Sequence, residues 1–386
     1  MRSEVFEMNR ILIVDDDRSV RILLRSILKK KGYETSECED GVSAVEFCVK
    51  SNPDIVLLDL LMPDMHGLDV LKQLKENTQT ASIPVIVLTG STDQEDKLSA
   101  LRSGAVDYIS KPFVSEEVTL RVGTQLRIHE LISSLQSAVR ELENDLEAAG
   151  RIQRALVPSE VPQGIGVDIN WIYMPSSSVG GDIFDIIPLE HSRYLVYVLD
   201  VSGHGINAAL VSVMVHRFIE DFRSSISPED GVFPLADFMK MLDASFLFER
   251  FETYMTASFV ILDTMNGEVE VSNAGNPHPL LLQQGVIQVL DFENNGAIGF
   301  GIVEGITRKY RIHEGSKLLL FTDGIIDVRD SNGSRIGEGT VIDLLKSEKD
   351  SALGELFSRF RGLLKKHLPD TSRSFEDDIT LVGIQF

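Results

Sequence analysis

Residues 53–62, PDIVLLDLLM, carry an apolar run, IVLL, that closes on a single aspartate, Asp59. Large aliphatic residues in unbroken succession read as a strand buried on both faces, the look of a parallel sheet covered by helices. Two further runs agree: ILIV at 11–14 leads into Asp15 and Asp16, and VDYIS at 106–110 leads into Lys111 and Pro112. In such sheets chemistry collects at the carboxyl ends of the strands. The stretch up to Pro112 thus gathers three carboxylates, Thr89 and a lysine around one crevice. Hard carboxylate oxygens beside a lysine suit a divalent cation and a phosphoryl group.

Outward from that run, strand-like stretches (ILIV, YETSE, DIVLLD, PVIVLTG, VDYISK) alternate with helical ones from Arg10 to Arg121. The alternation predicts an α/β doubly wound domain over residues 1–123. Gly32 and Gly104 fall where helices should end. From 124 to 156 the character changes. Ile128, Leu131, Leu135, Ala138, Leu142, Leu146, Ala149, Ile152 and Leu156 recur at steps of three and four between charged and polar residues. A seam this narrow predicts a coiled-coil linker helix and a homodimer formed through it.

Residues 157–386 read differently. Short apolar strands (YLVYVLDVSG, TASFVILDT, EVEVSNAG, PLLLQQ, KLLLFTDG, DDITLVGIQF) are separated by Gly, Asn, Asp and Pro. Helical stretches INAALVSVMVHRFIEDF, FPLADFMKMLDASFLFE and ELFSRFRGLLKKH interrupt them. Grouped strands and grouped helices predict an α+β antiparallel two-sheet domain.

Composition narrows the function classes. The chain has 386 residues, 43% of them hydrophobic, room for more than one full-sized core. No apolar run reaches the roughly 20 residues of a membrane span, and the N-terminal MRSEVFEMNR places charges where a signal peptide needs apolar residues. Two cysteines, Cys38 and Cys48, form no disulfide framework, so a cytoplasmic setting is expected. A net charge of -22 argues against direct binding to nucleic acid. No basic helix-turn-helix segment follows the linker.

The first half resembles the receiver domain of two-component response regulators across residues 9–124. The resemblance rests on Asp15-Asp16, Asp59 with Met62-Pro63 and Gly67, Thr89 followed by Gly90, Tyr108, and Lys111-Pro112. It implies that Asp59 is the phosphoacceptor, supplied by a histidine kinase or other phosphodonor. Asp15, Asp16, Asp59 and the backbone carbonyl of Leu61 would hold Mg²⁺. Lys111 would contact the phosphoryl oxygens, Thr89 would donate to them, and Tyr108 would follow Thr89 inward as the switch. Asp17 is expected to cap a helix.

Four aspartate-bearing turns mark the second half: Asp182 in VGGDIFDI, Asp200 in VLDVSGHG, Asp323 in LFTDGIIDV and Asp377-Asp378 in FEDDITLV. One aspartate beside a strand end is usually a turn residue. Four together, with GRIQRALVP (150–158), TASFVILD and SNAGNPHPLLL, resemble the metal-dependent protein phosphatases of the protein phosphatase 2C type, in their sporulation-protein-E branch. The resemblance implies two Mn²⁺ or Mg²⁺ ions held by Asp182, Asp200, the carbonyl of Val201, Asp323 and Asp377, with Asp200 bridging. Asp378 is the weaker candidate of its pair. His204 is either a general acid or a turn residue, and His278 receives no role. Here Asn276 stands where the branch more usually has histidine after glycine.

Taken together these resemblances imply a response regulator in which phosphorylation at Asp59 controls a serine/threonine phosphatase. The implied substrate is a phosphorylated anti-sigma factor antagonist in a partner-switching pathway. The alternative is a non-catalytic adaptor of the same fold that binds a sigma factor or its regulators. An adaptor lineage should have replaced some of the four metal-site aspartates, and here all remain.

Overall fold

A computed structural model of the chain describes residues 9–90, 94–203, 205–226, 232–291, 295–329, 333–367 and 376–386. The chain divides into two units, Met1–Glu141 and Leu142–Phe386.

In the first unit strands β1 (Arg10–Val14), β2 (Glu34–Cys38), β3 (Ile55–Asp59), β4 (Val85–Gly90) and β5 (Asp107–Lys111) alternate with helices α1 (Arg18–Lys29), α2 (Gly41–Ser51), α3 (Gly67–Glu76), α4 (Gln94–Arg102) and α5 (Ser115–Arg154). All strand pairings are parallel, in the order β2-β1-β3-β4-β5. The unbroken apolar runs are explained by burial on both sides. Val56 and Leu58 pack with α2 and α3, while Ile55 and Leu57 pack with α1 and α5. The order reverses direction between β1 and β3, and the crevice at such a switch point is where open α/β sheets bind ligands. Asp17 caps α1, its carboxylate accepting from the Ser19 amide at 2.7 Å. Gly32 and Gly104 take φ of +88° and +100°, left-handed conformations that let the chain leave a helix without a Cβ clash.

Helix α5 begins inside the first unit rather than at residue 124. Val118, Val122 and Leu126 are buried against the sheet. Beyond them the apolar seam is open: Ile128, Leu131, Leu135 and Leu142 are exposed. One continuous helix therefore serves as the last element of the first unit and carries the predicted linker.

The second unit contains two antiparallel five-stranded sheets. One runs β13-β10-β9-β8-β7 and the other β12-β11-β14-β15-β6. The strands are β6 (Asp168–Met174), β7 (Ile183–Pro188), β8 (Arg193–Val201), β9 (Met255–Asp263), β10 (Glu268–Ala274), β11 (Leu280–Gln283), β12 (Val286–Val289), β13 (Arg308–Arg311), β14 (Lys317–Phe321) and β15 (Ile379–Gln385). The helices are α6 (Ile206–Ser225), α7 (Leu235–Ser245), α8 (Phe248–Phe251), α9 (Gly324–Asp327), α10 (Gly337–Ser347) and α11 (Leu353–His367). Alternation along each strand builds three apolar layers. Phe184, Val196, Val198 and Val260 of the first sheet meet Leu318, Leu320, Val382 and Ile384 of the second in the central layer. The opposite face of the first sheet packs on α6 and α7, and that of the second on α10 and α11.

Several elements escaped the sequence reading. Strand β13, RKYR, is a charged edge strand whose polarity hides it while protecting the sheet edge. Strands β6 and β12 and helix α10 have weak periodicity. The predicted helix FPLADFMKMLDASFLFE breaks in two, at the end of α7 and the start of α8.

The outer layer of the first sheet is dominated by Phe238, fully buried among Phe218, Phe222, Phe233 and Phe259 at centroid distances of 5.1 to 6.2 Å. Trp171, the only tryptophan, lies 5.7 Å from Phe184 in this unit and reports its unfolding selectively. Phe238→Ala is expected to lower the urea stability read by Trp171 fluorescence by about 3–5 kcal/mol; a loss below about 1 kcal/mol would contradict the packing described.

Candidate functional sites

The first unit gathers its polar residues at the carboxyl ends of β1, β3, β4 and β5. Asp15, Asp16 and Asp59 present ligand oxygens that all lie within 4.8 Å of one another. Asp15 and Asp59 are buried and Asp16 is exposed, so the cluster opens to solvent on one side. Lys111 reaches across from β5, its Nζ 2.8 Å from Asp15 Oδ2 and 2.9 Å from Asp59 Oδ1. Burial pushes the Asp59 carboxyl above its ordinary range, against the pull of Lys111. For Lys111 burial acts downward, but the hydrogen bonds and charges of Asp15 and Asp59 outweigh it and raise its pKa. A cation at the three carboxylates would relieve the same crowding of charge.

The surroundings hold this geometry. Arg21, largely buried, donates from Nη1 to the carbonyls of Asp15 and Asp16 at 2.8 and 3.1 Å. A Cβ at Gly67 would collide with the Asp59 carbonyl and come 2.7 Å from Leu60 Cα, so only glycine fits behind Asp59. Thr89 is 3% exposed, and its buried hydroxyl has no hydrogen-bond partner. A donor left bare in a dry place is costly unless a ligand completes it. Tyr108 is half-buried, with Lys97 Nζ 5.0 Å and Arg121 Cζ 5.5 Å from its ring centroid. Leu61 lies two residues beyond Asp59 with an exposed side chain.

In the second unit Asp182 precedes β7, Asp200 is the penultimate residue of β8, Asp323 follows β14, and Asp377 and Asp378 precede β15. The antiparallel registers Ile183↔Leu199 and Phe321↔Leu381 put the four turns at one end of the two sheets. Asp182 joins the sheets there: its Oδ2 accepts from Thr322 Oγ1 at 2.8 Å and Thr380 Oγ1 at 2.6 Å. Its Oδ1 is buried and unpartnered, as is Asp323 Oδ1. Burial and neighbouring carboxylates act together here. Asp182 is driven well above the carboxylate range by burial, then by Asp200 and Asp378. Asp200 is pushed up to about 7 by burial and by Asp323, Asp377 and Asp378. Asp323 and Asp377 are raised as well, again mainly by burial. Mutually repelling acids with two bare oxygens fit divalent cations.

The set is more open than the receiver cluster. Among the described residues only Asp15, Asp16 and Asp59 close to within 4.8 Å as a trio.

Asp378 has a different task from its neighbour. Its Oδ1 accepts from the Ser176 amide at 2.6 Å, and its Oδ2 from the Gly181 and Asp182 amides at 2.5 and 3.2 Å. Both oxygens are thus occupied in shaping the 176–182 loop, a task that Asp377 does not share. The glycines explain the close convergence. A Cβ on Gly181 would come 2.5 Å from the Val201 carbonyl oxygen, and one on Gly324 would collide with the Asp378 carbonyl. From the other side Gln153, 2% exposed, clamps Gly180: its Nε2 donates to the Gly180 carbonyl at 2.7 Å and its Oε1 accepts from the Gly180 amide at 3.1 Å. Arg154 Nη1 donates to the Ser178 carbonyl at 3.3 Å. The end of α5 therefore grips the loop that carries Asp182, a role the sequence reading did not give Gln153. A buried amide on an otherwise polar helix face carries no signal of its own. His204 lies outside the described residues, and His278 faces Asp291 at 3.5 Å and Asn273 Nδ2 at 3.4 Å.

Comparison with known proteins follows this division. The family described as "Response regulator receiver domain" matches residues 11–123. The family described as "Stage II sporulation protein E (SpoIIE)" matches residues 190–386. The DNA-binding response regulator MtrA of Mycobacterium tuberculosis (strain ATCC 25618 / H37Rv) is 37% identical over 139 residues, 36% of this chain and 60% of MtrA. The transcriptional regulatory protein SrrA of Staphylococcus aureus is 41% identical over 119 residues, 31% of this chain and 48% of SrrA. The chain therefore spans at most 60% of the length of these curated relatives. Among solved structures, the SiaA-PP2C domain of Pseudomonas aeruginosa aligns with a TM-score of 0.56 at 23% identity, covering 64% of this chain and 98% of that one. Likeness at that identity speaks to the fold. The chain carries a response regulator receiver domain and belongs to the stage II sporulation protein E family, with a phosphatase domain of the protein phosphatase 2C type.

Proposed function

We propose that this protein is a phosphorylation-controlled, metal-dependent protein serine/threonine phosphatase. The observation that carries the reading is the pair of buried, unpartnered carboxylate oxygens, Asp182 Oδ1 and Asp323 Oδ1, in a site where every predicted ligand survives. Asp182, Asp200, Asp323, Asp377 and the Val201 carbonyl would hold two Mn²⁺ or Mg²⁺ ions. Such ions, when bound, lower the pKa of a water held between them and offset the charge of the phosphate. The chain's own residues keep the carboxylates apart and aimed. Thr322 and Thr380 fix Asp182, while Asp378 and Gln153 fix its loop from opposite sides. An adaptor reading has no support from a ligand set this complete.

In the receiver, Asp59 is the phosphoacceptor and Mg²⁺ would sit between Asp15, Asp16, Asp59 and the Leu61 carbonyl. Lys111 offsets the phosphoryl charge, and the bare Thr89 hydroxyl turns to the new oxygens with Tyr108 following. The exposed Ile128, Leu131, Leu135 and Leu142 support a homodimer through residues 124–156, between domains at 1–123 and 157–386. Phosphorylation would reset that pairing, and the change would arrive at Gln153 and the 176–182 loop. A switch from 1:99 to 99:1 needs a bias of about 5.5 kcal/mol. A phosphorylated anti-sigma factor antagonist in a partner-switching pathway is the substrate proposed. A histidine kinase or other phosphodonor would supply the receiver. No described helix is long and apolar enough to cross a membrane, and two buried free cysteines suit a reducing cytoplasm.

Asp59→Asn should abolish labelling by acetyl phosphate in the presence of Mg²⁺; persistent labelling would refute the phosphoacceptor. Asp200→Ala should bring Mn²⁺-dependent hydrolysis of p-nitrophenyl phosphate to background, and undiminished turnover would exclude it from the metal site. Replacing Leu131 and Leu135 together by glutamate should give a monomer in light scattering. A dimer of unchanged mass would place the contact elsewhere.

A further inference from the structure

The SNAGNPHP segment, given no role at the site above, forms a buried amide network at the metal-site end of the sheets. Asn276 is 4% exposed, with Ser258 and Asn273 fully buried beside it. Its Nδ2 donates to Ser258 Oγ on β9 at 2.9 Å and to the Phe321 carbonyl at the end of β14 at 2.8 Å. Its Oδ1 accepts from Thr256 Oγ1 at 3.4 Å, and its own carbonyl accepts from Asn273 Nδ2 at 2.8 Å. One side chain thus touches both sheets.

Its contacts lie next to the metal-site aspartates without including any of them. Thr256 is the register partner of Asp200, and Ser258 that of Val198. Phe321 precedes Thr322, whose hydroxyl fixes Asp182, and Asp323 comes next. Elsewhere the central layer is held by apolar side chains, which have no directional preference. At this end a directional hydrogen bond spans the gap, and its removal would leave the Phe321 carbonyl buried and bare.

We propose that Asn276 is a positioning residue that sets the distance between the Asp200-bearing strand and the Asp323-bearing turn, and with it the spacing of the ion pair. This rests on the two-ion reading of the site. Asparagine suits the task because one planar amide donates to both sheets from a single nitrogen. A histidine in its place offers one ring N–H to one partner.

The test is Mn²⁺ titration of the full chain, followed by calorimetry and by electron paramagnetic resonance, whose coupled-pair signal depends on the separation of the ions. Asn276→Leu, close in volume but without donors, should lose or alter the coupled-pair signal and weaken the looser C-terminal Mn²⁺ by at least about tenfold, the factor equal to about 1.4 kcal/mol. The receiver's own ion should be unaffected, which separates a local effect from general loss of fold. Ser258→Ala removes only the β9 anchor and keeps the question answerable if Asn276→Leu does not fold; it should move signal and affinity the same way by a smaller amount. A wild-type pair signal retained unchanged in a folded Asn276→Leu, or in Ser258→Ala where the former does not fold, would overturn the proposal alone. A wild-type chain with no coupled pair would overturn it together with the two-ion reading.

Discussion

A carboxylate withdrawn from water and given only half its partners organises the second unit. Asp182 lies 1% exposed between two sheets, one oxygen bound by Thr322 and Thr380 and the other bare. Burying a charge without compensation is among the most expensive things a fold can do. Here the cost is accepted at several neighbouring positions, since Asp200, Asp323 and Asp377 are displaced in the same direction. Protonation or a bound cation would each relieve the conflict, and the scaffold leaves two carboxylate oxygens open to a cation. The threonines occupy one oxygen, glycines let the turns approach, and Asp378 spends both oxygens on the loop backbone.

The receiver faces the same constraint with a different answer. Its three carboxylates share a lysine already in place, so Asp59 keeps a cationic partner in this state. The unsatisfied atom is a donor instead, the Thr89 hydroxyl. One site therefore lacks positive charge and the other lacks an acceptor. A phosphoryl group would supply an acceptor to the Thr89 hydroxyl, and a cation would supply charge to the bare oxygens of the second unit. Helix α5 joins the two functions along the chain, running from Val118 in the receiver core to the Gln153 amide at Gly180.

Much of this was legible in the sequence because it is periodic or because it is chemically rare. The apolar runs ending on Asp59, Asp16 and Lys111 fix a parallel sheet and its reactive edge together. The aspartate–glycine turns stand out for the same reason. What stayed hidden depends on contacts between distant residues of ordinary type. Asp377 and Asp378 are neighbours of identical chemistry, and only the fold shows that Asp378 is committed to Ser176, Gly181 and Asp182. Gln153 and Asn276 are single amides whose burial no local pattern announces. The charged strand β13 follows edge protection rather than apolar alternation.

Anomalous diffraction at the manganese edge, from crystals of the full chain soaked in Mn²⁺, shows whether the acids of the second unit converge on a pair of ions. Two peaks about 4 Å apart are expected among Asp182, Asp200, Asp323 and Asp377. No peak there, or Asp323 and Asp377 turned away from an isolated ion, would contradict the two-ion reading.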